Sequence, residues 1–290
     1  MKENKEITAL LRLIDDPDEE VYTTVSTRIF DFGKNIIPNL ENLWETTISE
    51  QVQSRIEMLI HRLQFVDITE ELKAWKNAST PDIITGALIV AKLQYPDLAI
   101  TPILQEVEKI RRNIWLELNS FLTPLEQAHV ISSILYNYYK LNGSEIDFNN
   151  PDSFLLNKVL QTKKGNSYSN GLLYIGLANL LDLPVRVINI PRQFVLAFYD
   201  ERFEEDDEHI EQRSHYHFFI DPTTGRPFTH DDIDNYFKRI SVPSVPSYFK
   251  SLSPVESLLI WMEEFSKCFE TPTLQYKQQD MMQLVDMLRE

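Results

Sequence analysis

A single cysteine in 290 residues, Cys268, excludes an intramolecular disulfide framework and a cysteine-rich zinc site. Only seven glycines are present, which leaves few tight turns and points to much helix. Basic residues are scarce too: 28 Lys and Arg stand against 44 Asp and Glu, for a net charge of −16. A surface of that sign favours solubility and repels phosphate backbones and anionic lipids, so nucleic acid and bare membrane are not expected partners. No apolar run approaches the roughly 18 residues needed to cross a bilayer. Met1 to Glu6 opens no apolar signal core, and the expectation is a cytoplasmic protein. Phosphate-binding glycine loops, basic stripes and ligand runs at metal spacing are all missing, so neither a cofactor nor a metal is expected. His215 and His217 alternate in a strand-like run, but two histidines without a third ligand do not make a metal site. What the chain does have is apolar substance: 43% of it is hydrophobic, enough for a real core in one large domain or two smaller ones.

The first third reads as helices. Leu10, Leu11 and Ile14 share one face, and Val21, Val25, Ile29 and Phe32 recur at three- and four-residue steps. Asp16-Pro17-Asp18 stops one helix and starts the next, and Gly33 stands where a C-cap belongs. Helical patterns continue over Ile36 to Trp44 and Val52 to Phe65. Thr80-Pro81-Asp82 opens an apolar helix to Leu93, Ile103 to Leu122 carries one apolar face, and Thr123-Pro124-Leu125-Glu126 has the form of a capping box opening a helix to Leu141. Asn142-Gly143 is expected to close that helix. From Val185 the period changes: Val185 to Ile190, Phe194 to Tyr199 and Tyr216 to Ile220 are rich in branched and aromatic residues and read as strands. Between the last two lies an acidic hairpin loop holding Glu204, Glu205, Asp206, Asp207 and Glu208. Helices return over Val255 to Glu270 and Asp280 to Leu288. The expected class is α+β: mostly helical, with a small antiparallel sheet packed on a buried central helix.

That central helix is Ser169 to Leu181, apolar almost all round. Gly165-Asn166-Ser167 stands just before it, Leu183-Pro184-Val185-Arg186 follows it, and Phe219-Ile220-Asp221-Pro222 ends the last strand. This order resembles the transglutaminase-like branch of the papain fold. There a glycine-any-cysteine triplet opens a buried helix, an arginine-bearing strand follows, and two strands bring a histidine and an aspartate. The closer resemblance is to the bacterial SirB-type members. It rests on Ala87 to Leu98, on Asn149, Asn150, Ser153, Leu156 and Asn157, on the Lys164-Gly165 turn before the helix, on Pro191 to Phe194, and on Ile220-Asp221-Pro222. It runs from Thr80 to Ile240. Asp16 to Leu40, within Leu10 to Leu63, resembles one HEAT-type repeat, with a generic helical bundle as the equal alternative. The expected division is a helical HEAT-like region at 1–79, the transglutaminase-like domain at 80–242, and a helical extension at 243–290.

The departures from the resemblance bear on function. Ser167 stands at the cysteine position and Gln193 at the histidine position, and an amide does not titrate near neutral pH. Asp221 fits the third position. A rearranged centre from Ser167 or Ser169 with His217 and Asp221 is the catalytic alternative, since period two places His215, His217, Phe219 and Asp221 on one strand face. Bland roles compete: N-capping for the serines, edge packing for the histidines, and an Asx-type turn for Asp221. The resemblance implies a degenerate transglutaminase-like domain that binds a protein or peptide, since the ancestral cleft takes extended amide substrates. A hydrolase or amide transferase, and a helical-repeat adaptor, are the other readings. No residue pattern fixes the oligomeric state.

Overall fold

The computed structural model describes residues 2–200, 202 and 212–290. The Glu204 to Glu208 run of the acidic loop lies outside the described residues. The chain forms two compact units, Met1–Leu72 and Lys73–Glu290. The first is helical: α1 (Lys2–Arg12), α2 (Glu19–Asp31), α3 (Ile37–Thr46) and most of α4 (Glu50–Lys76). Its core joins Ile14, Val25 and Ile29 of the predicted faces with Ile36, Leu40, Ile56 and Leu63, while Leu10, Leu11, Val21 and Phe32 pack partly buried against it. Asp18 caps α2 by accepting from the Glu20 N–H, and Gly33 takes a φ of +60° just past the helix end.

The second unit continues with α5 (Ile83–Ala91), α6 (Ile100–Glu117), α7 (Pro124–Ser132), β1 (Asn142–Gly143), α8 (Leu156–Thr162), β2 (Lys164–Gly165), α9 (Ser167–Asn179), β3 (Val185–Ile190), β4 (Gln193–Tyr199), β5 (Tyr216–Ile220), β6 (Pro227–Phe228), α10 (His230–Ile240), α11 (Pro254–Ser266) and α12 (Gln275–Arg289). The four strands β3 to β6 pair antiparallel in chain order. Every residue of α9 from Ser167 to Ala178 is buried, as its apolar circumference requires. One face of the sheet lies on α9, where Phe194 of β4 meets Gly171 and Tyr168. On the other face Ile188, Ile190, Val195, Ala197, Tyr199, Tyr216 and Phe219 pack with Ile233 and Phe237 of α10 and with Phe249. The C-terminal helices belong to this same core: the Trp261 indole N–H of α11 donates to the Phe154 carbonyl at 3.1 Å.

Several boundaries differ from the sequence reading. Helix α6 stops at Glu117 because the Asn119 carboxamide accepts from the Phe121 N–H, a local bond that competes with helix. The Thr123 capping box forms, but α7 widens into a π-helical turn at Ser133–Tyr138, and Lys140 rather than Asn142-Gly143 takes the left-handed φ, at +59°. Asn142 and Gly143 instead pair in parallel with Lys164 and Gly165. Gly143 is needed there because a Cβ would run into Thr223. Helix α10 was not anticipated. Its signature is the Thr229–Asp232 capping box followed by Ile233 and Phe237 four apart.

Candidate functional site

The site expected from the sequence lies at the N-terminus of α9. Asn166 is the N-cap, and its Oδ1 accepts from the Tyr168 and Ser169 N–H groups at 3.0 and 3.1 Å. Ser169 returns the bond: its Oγ accepts from the Asn166 N–H at 3.0 Å and donates to the Ser153 carbonyl at 2.7 Å. That hydroxyl is fully buried and both its roles are taken. Gly165 just before the cap is obligatory, since a Cβ would press on Asn170 Oδ1 and lie 2.7 Å from Ser169 Oγ.

Ser167 is the first residue of α9 and 9% exposed. Among the described residues its hydroxyl has no hydrogen-bond partner, and no imidazole or carboxylate reaches it. The helix dipole still favours negative charge at this position, although the Asn166 carboxamide already takes the Tyr168 and Ser169 N–H groups.

Gln193 opens β4 opposite Ile190, across a two-residue turn of Pro191 and Arg192. Arg192 has φ +63°, as the second central position of a type II turn requires. Phe194 occupies the α9 side of β4, so strand alternation turns Gln193 the other way, with Ile190 and Val195.

Asp221 sits just past β5, and its carboxylate is committed locally. It accepts from the Thr223 N–H at 2.8 Å, from the Thr223 hydroxyl at 2.7 Å and from the Thr224 hydroxyl at 2.8 Å. The turn is clamped from outside, because the Tyr136 hydroxyl on the π-helical turn donates to the Pro222 carbonyl at 2.6 Å. Burial pushes the Tyr136 hydroxyl well above the usual tyrosine range, so it remains a donor.

His217 does not share the face period two assigns to it. Phe198 pairs with Phe218 and Tyr199 with Tyr216, so His217 is the extra residue of a β-bulge. Its Nε2 lies 3.7 Å from Asp200 Oδ2, and its side chain is 32% exposed. The Arg202 guanidinium pairs with Asp200 and holds that carboxyl down to about 2. His217 and Asp200 line a cavity of about 440 Å³ with Asp182, Leu183 and Pro184, which follow the C-terminal end of α9. Thirteen helical residues put the two ends of α9 about 18 Å apart, so His217 and Ser167 are not brought together. His215 is buried in a 3₁₀ turn, edge-on to Tyr199. No three His, Cys, Asp or Glu side chains converge among the described residues in the manner of a metal site.

The sequence reading missed the asparagines at the helix head. Asn166 Nδ2, both polar side-chain atoms of Asn170, and Asn157 Oδ1 on α8 are buried without a hydrogen-bond partner. Asn166 and Asn170 lie four apart on one face of α9. The available signal was a Gly-Asn-Ser triplet with a second Asn one turn on.

A buried helix with a small residue at its head, backed by an antiparallel sheet with an arginine-bearing first strand, is the architecture of the transglutaminase-like proteins. The model of the transglutaminase-like superfamily matches residues 101–263, and the chain belongs to that superfamily. Within it the chain falls in the bacterial SirB-type branch. It is 22% identical over 199 residues to UPF0162 protein YchA of Escherichia coli K12, covering 69% of this chain and 68% of that one. It is 24% identical over 111 residues to Protein SirB1 of Salmonella typhimurium, covering 38% and 41%. A 68-residue stretch, 23% of this chain and 11% of the other, is 32% identical to F-box only protein 21 of mouse. No solved structure matches the chain significantly.

Proposed function

We propose that this chain is a non-catalytic transglutaminase-like protein that acts as a protein- or peptide-binding scaffold. The observation that carries the reading is the isolation of the Ser167 hydroxyl. Nucleophilic catalysis needs a base within hydrogen-bond reach of the attacking group. Gln193 brings no titrating group and faces away, Asp221 is spent on its own turn, and His217 sits with Asp200. Large apolar side chains exposed between residues 115 and 138, among them Trp115, Leu116, Phe121 and Tyr138, favour a protein as the partner. Helices α1 to α4 are read as a HEAT-like cap. The unpaired, buried thiol of Cys268 suits a reducing cytoplasm.

A serine-directed fluorophosphonate probe tests the reading. No labelling of the native chain is expected. Labelling that disappears in Ser167→Ala would restore a catalytic role. A gain-of-function arm sharpens the test. Ser167→Cys is expected to alkylate with iodoacetamide faster than Cys268, because a thiol at a helix N-terminus ionises readily. Cys268 provides a quiet background, because burial pushes its thiol up to about 12.

A further inference from the structure

Beside the C-terminal half of α9, the second unit carries a partly open cavity of about 540 Å³, within the range that holds a small ligand. Ile175 and Asn179 of α9 form part of its lining, the start of β3 another, and residues 249–257 a third. The third wall is pinned in place, because the Leu252 N–H donates to the Val187 carbonyl on the sheet edge at 2.9 Å. Tyr199, Tyr216 and Phe249 supply aromatic surface, and the Tyr216 hydroxyl is fixed by donating to the Phe249 carbonyl at 2.9 Å.

Two features of this cavity bear on a ligand. The first is Ser257 on the first turns of α11. It is 1% exposed, it lines the cavity, and its hydroxyl has no partner. A buried polar group left unpaired marks a place where an absent group completes the bonding. The second is charge. The chain carries −16, yet Arg186, Lys250 and His215 line this cavity beside a single carboxylate, that of Glu256. That carboxylate is already engaged: Oε2 accepts from the Ser253 N–H at 2.8 Å in the α11 capping box, and Oε1 lies 3.9 Å from Lys250 Nζ. The positive end of the α11 dipole is directed to the same place. The Arg186 guanidinium lies over the Tyr199 ring at 5.5 Å, which joins the cationic and aromatic parts of the wall.

We propose that this cavity is a binding site for a small organic anion, a carboxylate on a flat apolar body. Lys250 and Arg186 attract the carboxylate, the Ser257 hydroxyl donates to it, and the aromatic side chains cover the ring. The site shares no side chain with the helix head and stands or falls independently of it.

The test titrates the full chain with benzoate, 2-naphthoate and indole-3-acetate, using calorimetry and ligand-observed NMR. The neutral isostere 2-naphthamide serves as the control. Expected are saturable one-to-one binding of at least one acid, loss of that binding with the amide, and weakening by added salt. Lys250 is 65% exposed, so Lys250→Glu leaves the fold intact and weakens the acid at least about tenfold, the effect of removing a steering and pairing charge. Ser257→Val fills the hydroxyl's place and abolishes binding, with the urea midpoint recording whether the fold is kept. The proposal is overturned if no acid saturates by about 5 mM, a limit just above the weakest specific affinities. Equal binding of the amide, or unchanged affinity in Lys250→Glu, overturns it as well.

Discussion

Ser167 and Ser169 stand two positions apart on one helical turn and differ in everything but side-chain type. Ser169 holds a reciprocal cap with Asn166 and a bond to the Ser153 carbonyl, all out of water. Ser169→Ala strands a buried N–H and a buried carbonyl together, at a cost of about 2–3 kcal/mol. Ser167→Ala removes a hydroxyl that bonds nothing and is expected to stay within about 0.5 kcal/mol of the parent. Urea midpoints at unchanged slope measure both, and equal losses would contradict the capping geometry. Arg192 is the third informative residue. Its left-handed φ of +63° costs a side-chain-bearing residue roughly 1–2 kcal/mol, whereas glycine adopts it freely. Glycine's own entropy penalty of about 0.5–1 kcal/mol offsets part of the relief, so Arg192→Gly is expected to stabilise by about 0.5 kcal/mol. A destabilised glycine variant would mean that the Arg192 side chain makes a contact outweighing its backbone strain.

Elements that declare themselves by period were legible in the chain. The stripe of α2, the uniformly apolar α9 and the branched runs of β3 to β5 all form where their residues place them. Glycine marks how tightly α9 is held. A Cβ at Gly171 would come 2.5 Å from the Phe194 ring, and one at Gly176 would come 2.5 Å from Ile84 Cδ1. Alanine is the better helix former by about 1 kcal/mol, yet a contact this short puts overpacking in the upper part of its range, about 2–3 kcal/mol, so each alanine variant should lose about 1–2 kcal/mol net. A variant at either position that matches the parent in thermal unfolding would mean that α9 has room to shift. What escaped the sequence was non-local. The bulge that turns His217 aside is a two-against-one count between β4 and β5, and nothing within β5 alone announces it. The β1–β2 pairing joins residues 142 and 164, and the π-helical turn that delivers Tyr136 to Pro222 depends on where that turn lands. The candidate site was therefore half legible. That Gln193 carries no titrating group could be read directly, whereas the separation of His217 from Ser167 needed the placement of His217 near the far end of α9.

At the scale of the molecule two electrostatic effects compete, and their order in pH can be worked out. The chain carries −16 at pH 7 with an isoelectric point near 4.8, so acidification from pH 7 relieves self-repulsion and should raise stability. The opposing effect comes from carboxylates the fold holds in their charged form. Arg202 depresses Asp200 to about 2, Arg213 lowers Asp234, and cap N–H groups lower Glu126, Asp232 and Glu256. A folded pKa below the unfolded value of about 4 contributes stability that is whole above that value. It is lost as pH falls through the folded pKa, here down to about 2 for Asp200. On the alkaline side burial raises Cys268 to about 12 and pushes Tyr174 up, so their contribution is present below the unfolded values of about 8.5 and 10 and is lost above them. The expected profile of urea midpoint rises from pH 7 to about 5.5, falls below about 4, and falls again above about 9. About 0.3 M NaCl should flatten the first rise, which is long-range, and leave the acid fall, which comes from close pairs and caps. Asp200→Asn should lie below the parent at pH 6 and converge with it toward pH 2, where the native carboxyl also becomes neutral. A midpoint that does not change between pH 7 and 5.5 at low salt, or an asparagine variant that stays parallel to the parent down to the acid limit, would refute the assignment of these two effects.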